Sequence, residues 1–325
     1  MNKNQHVRCG KLSNGVRFYT QYESANSKEL IVIGVMVGSF HDPRGKRGLS
    51  HLVEHVICTE SNKYTSADAD TLLTRTCGAP DSGSWYINTD RTVTAYGGAA
   101  GLKKKHAREL FSMFADMIQS PVISRHSVFV EKAAIHQEHY LTERDIPGER
   151  IHQMLREEMF PESFLARIPV DGYMEDVRSI TRHDIKEHIH KYYIPSNIFV
   201  VYLGPRYKDA KEVIAHEFGA WTKSTLFRKH RFVLPHGTGG FASLPEQRTK
   251  TITLRGLAQH HVAVGFPTET YMTEDAEALD VLAFIMSRKM FGELRSKNTT
   301  WESGAYRTPI HTERTFGHGM WYLHF

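Results

Sequence analysis

The hydrophobic positions of the chain first predict short strands. Strand patterns, either apolar and β-branched or alternating with polar residues, occur at residues 16–19, 30–38, 85–88, 91–96 and 198–204. The pair Asn14-Gly15 stands directly before the first of these and is a strong turn signal, which predicts a hairpin there. Runs of this length, separated by turn residues, indicate a sheet.

Between these runs the apolar residues recur at helical spacing. We expect helices at residues 67–76, 102–118, 127–142, 182–193 and 208–221. Ser66 is the expected N-cap of the first, and Thr181 with Asp184 forms the capping-box pattern before the fourth. Leu110, Phe111 and Phe114 form an apolar stripe on the second helix, which we interpret as core packing rather than a cofactor site.

The later part of the chain repeats the order of the first part. Residues 227–245 are rich in Gly, Pro, Arg and His and are predicted to be a linker. Strands at 251–254 and 261–266 and a helix at 274–295 follow. We therefore predict an α+β protein with two homologous α/β-sandwich-like domains, each a mostly antiparallel sheet with helices packed on it. The domains are residues 1–226 and 246–325, and the second is incomplete.

Composition is that of a globular protein without a membrane span. The 325 residues are 40% hydrophobic and 24% charged, and no run of 18 apolar residues occurs. Residues 1–8 contain no apolar segment of the kind found in secretory signals, so the expected location is the cytoplasm. We expect no membrane partner.

Charge and cysteine content exclude two further classes. The net charge of +5 is spread along the chain, whereas nucleic-acid binding favours a dense basic stripe, so no nucleic-acid partner is expected. The three cysteines, Cys9, Cys58 and Cys77, lack the C-x-x-C spacing of thiolate metal sites and do not indicate a disulfide framework.

The candidate chemistry lies in the pentapeptide from His51 to His55. On a helix, residues four apart share a face, so these two imidazoles can hold one metal ion between them. Glu54 leans over the same face and can act as a base for a metal-bound water. The alternative is a helix with two ordinary histidines, because the chain contains 20 histidines. Further along, Glu131 and Glu138 are two helical turns apart and share a face.

Five motifs in order resemble one known family of zinc metallopeptidases. The family includes pitrilysin, insulin-degrading enzyme and mitochondrial processing peptidase, and its active-site pattern is H-x-x-E-H. The motifs are the L-x-N-G opening, the active-site pattern, a helix with two glutamates, a Y-Y-x-P-x-N strand start and a second-domain strand. They occur at residues 12–15, 48–55, 131–138, 192–197 and 261–267.

The resemblance implies a role for each matching position. His51, His55 and Glu138 would bind Zn²⁺, Glu54 would be the general base, and Glu131 would be a supporting acid on the helix of Glu138. Two histidines and one glutamate leave a fourth position for water, as in catalytic zinc sites. This ligand set favours zinc over cobalt or manganese. Two histidines beside Glu138 are rival ligands that the family pattern does not match, namely His136 and His139.

The resemblance also implies substrate contacts. Arg295 and Tyr306 resemble a family Arg and Tyr that bind the substrate carbonyl and oxyanion, although their spacing here is longer than in the family. Ordinary alternatives are a helix C-terminal cation and a core aromatic residue. A peptide or protein substrate would add as a strand to the edge formed by residues 85–88.

The short second half is the main departure from the family. It ends in an apparent strand, so the chain is either truncated or has a reduced second domain, and a homodimer or a partner subunit would complete the family's closed chamber. The first functional hypothesis is a zinc metalloendopeptidase. The second is a non-catalytic, peptide-binding or structural subunit of the same fold. The third is a metal-binding module without proteolysis, which would not need Glu54.

Overall fold

The structure is a computed structural model. It describes residues 7–23, 28–78, 85–101, 103–145, 147–160, 168–222, 249–251, 253, 262–268, 275–296, 311–314 and 319–324. The chain divides into two compact units. Unit 1 is Met1–His136 with Pro169–Arg228, and unit 2 is Gln137–Ile168 with Lys229–Phe325. The predicted linker, residues 227–245, lies outside the described residues, and the predicted domain boundaries remain a prediction.

Unit 1 contains a six-stranded sheet. Its strands are β1 (Arg8–Lys11), β2 (Arg17–Tyr22), β3 (Lys28–Val35), β4 (Trp85–Thr89), β5 (Thr94–Gly101) and β6 (Ile198–Gly204). Their order is β1-β2-β6-β3-β5-β4, and every neighbouring pair is antiparallel except β2 with β6. The sheet is therefore mixed and mostly antiparallel, as predicted, and β4 is one of its edge strands.

The helices of unit 1 contribute to one hydrophobic core with this sheet. They are α1 (Leu49–Ile57), α2 (Ser66–Cys77), α3 (Lys104–Gln119), α4 (Arg125–Asp145), α6 (Met174–Ser179), α7 (Arg182–Tyr192) and α8 (Tyr207–Gly219). Helix α4 begins in unit 1 and is continuous through Asp145. This α+β arrangement confirms the predicted fold class.

The core of unit 1 follows the alternation of the strands. On β3 the residues Ile31, Ile33 and Val35 are fully buried, while the residue between the first two is only half-buried. Strands show this pattern when one face packs against helices. The apolar stripe of α3 is buried in the same core, which confirms that Phe111 and Phe114 are packing residues.

Two helix starts test the predicted caps. Helix α7 begins after Thr181, whose hydroxyl accepts from the Asp184 amide while the Asp184 carboxylate accepts from the Thr181 amide, as predicted. The predicted cap at Ser66 is wrong by one residue. Thr65 caps α2, because its hydroxyl accepts from the amide of Asp68 and an Asp at that position completes the capping box.

Among its described residues, unit 2 contains a small antiparallel sheet, the end of α4 and two further helices. The strands β7 (Ala263–Thr268), β8 (His311–Arg314) and β9 (Gly319–His324) have the order β7-β9-β8. The helices are α5 (Pro147–Met159) and α9 (Asp275–Ser296). Gly265 of β7 lies against Leu155 and Met159 of α5, so a Cβ at this position would meet their side chains. The predicted strand 251–254 falls largely outside the described residues.

A helix that crosses a bilayer must be both long and apolar. Across the described segments, none of the helices is both long and apolar enough to span a bilayer.

Candidate metal centre

Helix α1 carries the pentapeptide and has two distinct faces. Leu49, Leu52, Val53, Val56 and Ile57 are buried in the core of unit 1. His51 and His55 lie on the opposite face of the helix and are half-buried. Residues four apart share a helix face, and the spacing of the apolar residues places them on the face that packs against the core. The sequence pattern of α1 therefore packs one face of the helix into the core and leaves both imidazoles on the other face.

The start of α1 is held by a tight turn. Gly48 caps the helix with φ +92°, a left-handed conformation that favours glycine. A Cβ there would lie 2.4 Å from the carbonyl oxygen of Asp171, so the backbone approach also requires glycine.

A buried carboxylate anchors the same turn. Asp42 accepts hydrogen bonds from the amides of Gly48 and Ser50, each 2.8 Å long, and from the Ser50 hydroxyl at 2.6 Å. The Ser50 hydroxyl also lies 3.2 Å from His188 Nε2 on α7. Burial raises the pKa of Asp42 to about 7, although its hydrogen bonds oppose the shift, and burial lowers the pKa of His188 to about 3. The N-terminus of helix α1 is thus held by the Asp42 carboxyl, a group that can gain or lose a proton near neutral pH.

His51, His55 and Glu138 come together at the other side of α1. One ligand atom from each of the three lies within 4.8 Å of the others, and this is the group of metal-ligating side chains found in the described residues. The Nε2 atoms of the two histidines are 3.2 Å apart. Two ligands around a tetrahedral ion with bonds of about 2.0 Å are separated by about 3.3 Å, so the imidazole pair fits zinc.

Glu131 contacts one of the candidate ligands, His55. Its Oε2 lies 3.1 Å from His55 Nδ1, and both side chains are mostly buried. With the proton on Nδ1 donated to this carboxylate, the lone pair of Nε2 faces His51. A carboxylate on the outer nitrogen of a metal-binding histidine is the common arrangement in metal sites. The donor chemistry therefore also fits a metal ion.

The remaining predicted positions are placed as follows. His136 Nε2 lies 3.2 Å from an Arg178 guanidinium nitrogen, and neither His136 nor His139 belongs to the three-residue group. Arg295 lies in helix α9, where its side chain is not among those described, and Tyr306 lies outside the described residues.

Glu54 occupies a buried position that the sequence did not connect to any other element. Its side chain is 7% exposed, and its Oε2 accepts a 2.6 Å hydrogen bond from the Thr89 hydroxyl at the end of β4. Sequence reasoning missed Thr89. The available signal was the alternation of β4, which places a polar threonine on the same face as half-buried Trp85 and Ile87.

The half-buried Cys58 thiol and the buried Tyr193 hydroxyl both feel the charge of Glu54. Burial raises the pKa of the Cys58 thiol far above its usual value, and the negative charges of Glu54 and Glu131 raise it further. Burial likewise raises the pKa of Tyr193, to which the charge of Glu54 adds. The Cys58 thiol and the Tyr193 hydroxyl are therefore neutral at physiological pH.

Sequence profiles of known families match nearly the whole chain. The profile described as "Insulinase (Peptidase family M16)" matches residues 17–168, which include α1 and α4. The profile described as "Peptidase M16 inactive domain" matches residues 179–325. The chain belongs to peptidase family M16. This confirms the family resemblance and the presence of two M16 domains.

Several M16 relatives carry zinc in their names. The chain is 25% identical over 295 residues to an uncharacterized zinc protease of Streptomyces coelicolor, covering 90% of this chain and 62% of the relative. It is 25% identical over 213 residues to the probable zinc protease PqqL of Haemophilus influenzae, covering 64% of this chain and 22% of the relative. The chain thus spans less than two thirds of each of these relatives.

Solved protease structures share the fold. A protease from Helicobacter pylori superposes with a TM-score of 0.79 at 18% identity, covering 98% of this chain and 74% of that one. Pitrilysin superposes with a TM-score of 0.66 at 17% identity, covering 99% of this chain and 34% of that one.

Proposed function

We propose that this M16 chain is a zinc metallopeptidase that hydrolyses peptide bonds of peptides or unfolded protein segments. The observation that carries the proposal is the group of His51, His55 and Glu138, in which Glu131 holds the outer nitrogen of His55. A purely structural helix would not need a carboxylate on the outer nitrogen of one imidazole and two further ligand atoms near the inner one.

The proposed division of labour follows from these positions. His51, His55 and Glu138 would hold the zinc ion, which when bound supplies Lewis-acid activation of water and of the substrate carbonyl. Glu54 follows His51 by three residues on the same helix, and it takes a proton from the attacking water as general base. Its buried position and its bond to Thr89 keep the carboxylate in one orientation. Arg295 and Tyr306 remain predicted substrate-binding residues.

The edge strand β4 is the proposed place for the substrate. Backbone groups of an edge strand are available for pairing with an extended peptide. Tyr86 and Asn88 on β4 are exposed, and Thr89 at its end contacts Glu54. A peptide paired with β4 would therefore run toward the proposed base.

A second candidate function is a non-catalytic, peptide-binding subunit. The profile that matches residues 179–325 is described as an inactive domain. In that case the first half would bind zinc and peptide without turnover, or would need a second copy or a partner subunit to complete the site. A cytoplasmic location likewise remains a prediction.

Peptide cleavage by the purified chain tests the proposal. Quenched peptides of varied sequence are incubated with the wild type, with the wild type plus chelator, and with Glu54→Gln, after the zinc content of each sample is measured. Glu60→Gln is the matched control, because it removes an exposed acid just beyond α1. Without chelator, we expect one zinc per chain in the wild type, Glu54→Gln and Glu60→Gln. Chelator should abolish cleavage by the wild type, and of the two variants only Glu54→Gln should lack cleavage.

Two other results would overturn the proposal. Full zinc occupancy without cleavage of any peptide would favour the non-catalytic subunit. Absence of bound metal in the wild type would refute the assignment of the metal ligands themselves.

A further inference from the structure

The Glu54 carboxylate and the end of β4 form a buried contact between distant parts of the sequence. The Thr89 hydroxyl donates to Glu54 Oε2 at 2.6 Å, and the two residues are 6% and 7% exposed, respectively. Thr89 is the last residue of β4 and pairs directly with Thr94 of β5. The contact therefore joins the metal helix to the edge strand of the sheet.

The neighbouring hydroxyl fixes the direction of this hydrogen bond. Thr94 Oγ1 donates to the carbonyl oxygen of Val37 at 2.9 Å, which uses its proton. Thr94 Oγ1 also lies 3.4 Å from Thr89 Oγ1, a longer and weaker contact than the one to Glu54. Since each hydroxyl has one proton, the proton of Thr89 is directed at the carboxylate.

The position of Thr89 also restricts its movement. A β-branched side chain has few χ1 rotamers, and strand pairing with Thr94 holds the backbone. The Tyr193 hydroxyl hydrogen-bonds to Thr94 and lies 3.1 Å from the Tyr96 hydroxyl, so the threonine pair belongs to a buried polar cluster. Within such a cluster a hydroxyl is pre-positioned before any substrate arrives.

We propose that Thr89 is a positioning residue for Glu54, which binds one carboxylate oxygen and leaves the other oriented to accept a proton from water. This inference rests on the proposed peptidase function. Thr89 acts only through Glu54. Because it ends the edge strand, it also sets the distance between the base and a peptide paired with β4. Misplacing a catalytic group by about 1 Å is sufficient to lower a rate by about 100-fold.

Kinetics of Thr89→Val and Thr89→Ser test the proposal. Valine keeps the shape and removes the donor, and serine restores the donor. We expect Thr89→Val to lower kcat about 10- to 100-fold with KM within about twofold of the wild type, because a hydrogen bond to a charged group orients the base but does not bind substrate. Zinc content stays at the wild-type level, and Thr89→Ser recovers kcat to within about threefold.

Thr92→Val is the matched control, because Thr92 lies in the connection between β4 and β5 and is half-buried. It is expected to keep the wild-type kcat. A wild-type kcat in Thr89→Val would overturn the proposal. So would a Thr89→Ser variant as impaired as Thr89→Val, because packing rather than the hydroxyl would then be what matters.

A measurement without turnover separates this inference from the proposed function. Urea unfolding of zinc-free wild type, Thr89→Val, Glu54→Ala and the double variant forms a thermodynamic cycle. We expect Thr89→Val to lower the folding equilibrium constant about tenfold in the wild type and to leave it nearly unchanged in Glu54→Ala. Equal effects in both backgrounds would refute the hydrogen bond, whether or not the chain cleaves peptides. If the two substitutions are coupled but the chain cleaves no peptide, the positioning role of Thr89 and the proposed peptidase function are both refuted. The hydrogen bond between Thr89 and Glu54 would then be only a structural contact.

Discussion

The buried carboxyl of Asp42 should make this protein less stable as the pH rises from about 4 to about 7. Folding raises its pKa from 3.8 to about 7, mainly because the group is taken out of water. Between these two values the folded state holds a proton that the unfolded state has lost. Raising the pH through this window therefore favours unfolding. The contribution is fully present below about pH 4 and is lost by about pH 7.

The substitution Asp42→Asn removes this ionisation and keeps the shape. The pKa difference of about three units corresponds to about 4 kcal/mol at 1.36 kcal/mol per unit, of which about 2 kcal/mol falls between pH 5 and pH 7. The amide NH₂ also turns a donor toward either the Gly48 or the Ser50 amide, which gives the variant a constant loss of about 1–3 kcal/mol. The variant should thus be least stable relative to the wild type at pH 5, and the difference should shrink or reverse by pH 8.

Urea unfolding at pH 5, 6, 7 and 8 measures this difference. The samples are kept zinc-free with chelator, so that metal release does not contribute, and all other titrating groups cancel between variant and wild type. Asp70→Asn, which replaces an exposed acid on α2, is the control for removing one carboxylate. Hydrogen exchange of the α1 amides locates the effect at the metal helix. A difference between Asp42→Asn and the wild type that is constant across pH 5–8, or that grows with pH, would refute the reasoning.

Three further substitutions test the candidate metal centre and its helix. Glu131→Gln should lower zinc affinity about 10- to 100-fold in competition with a chromophoric chelator, because it weakens the partner of His55 Nδ1. Glu138→Gln should lower the affinity further, because it removes a candidate ligand. Equal zinc affinity in Glu131→Gln and the wild type would contradict the role of Glu131. Gly48→Ala should lower the free energy of unfolding by more than the ~1–2 kcal/mol cost of a left-handed residue, because its Cβ also meets the Asp171 carbonyl. Gly45 has a similar φ in open space, so Gly45→Ala should show the backbone effect alone. Equal losses of stability in thermal unfolding would exclude the steric contribution.

Local sequence determined the elements of this protein and part of its candidate site. The spacing of His51 and His55 places both imidazoles on one helix face, and the apolar residues between them direct that helix to the core. The Thr181 cap and the buried strand β3 were likewise predictable, because they depend on residues a few positions apart. The cap of α2 was misplaced by one residue, since Thr65 and Ser66 are both good caps and only the bond to Asp68 distinguishes them.

Tertiary structure decided which distant side chains meet at α1. Glu131 lies on a separate helix and reaches His55, Thr89 lies on the edge strand and reaches Glu54, and Asp42 holds the helix start from a loop. No periodicity encodes these contacts, because each depends on how a helix packs on the sheet and on which strand neighbours it. Sequence motifs predicted the type of the candidate metal ligands, whereas packing determined the carboxylate and hydroxyl partners of those ligands and of the proposed base.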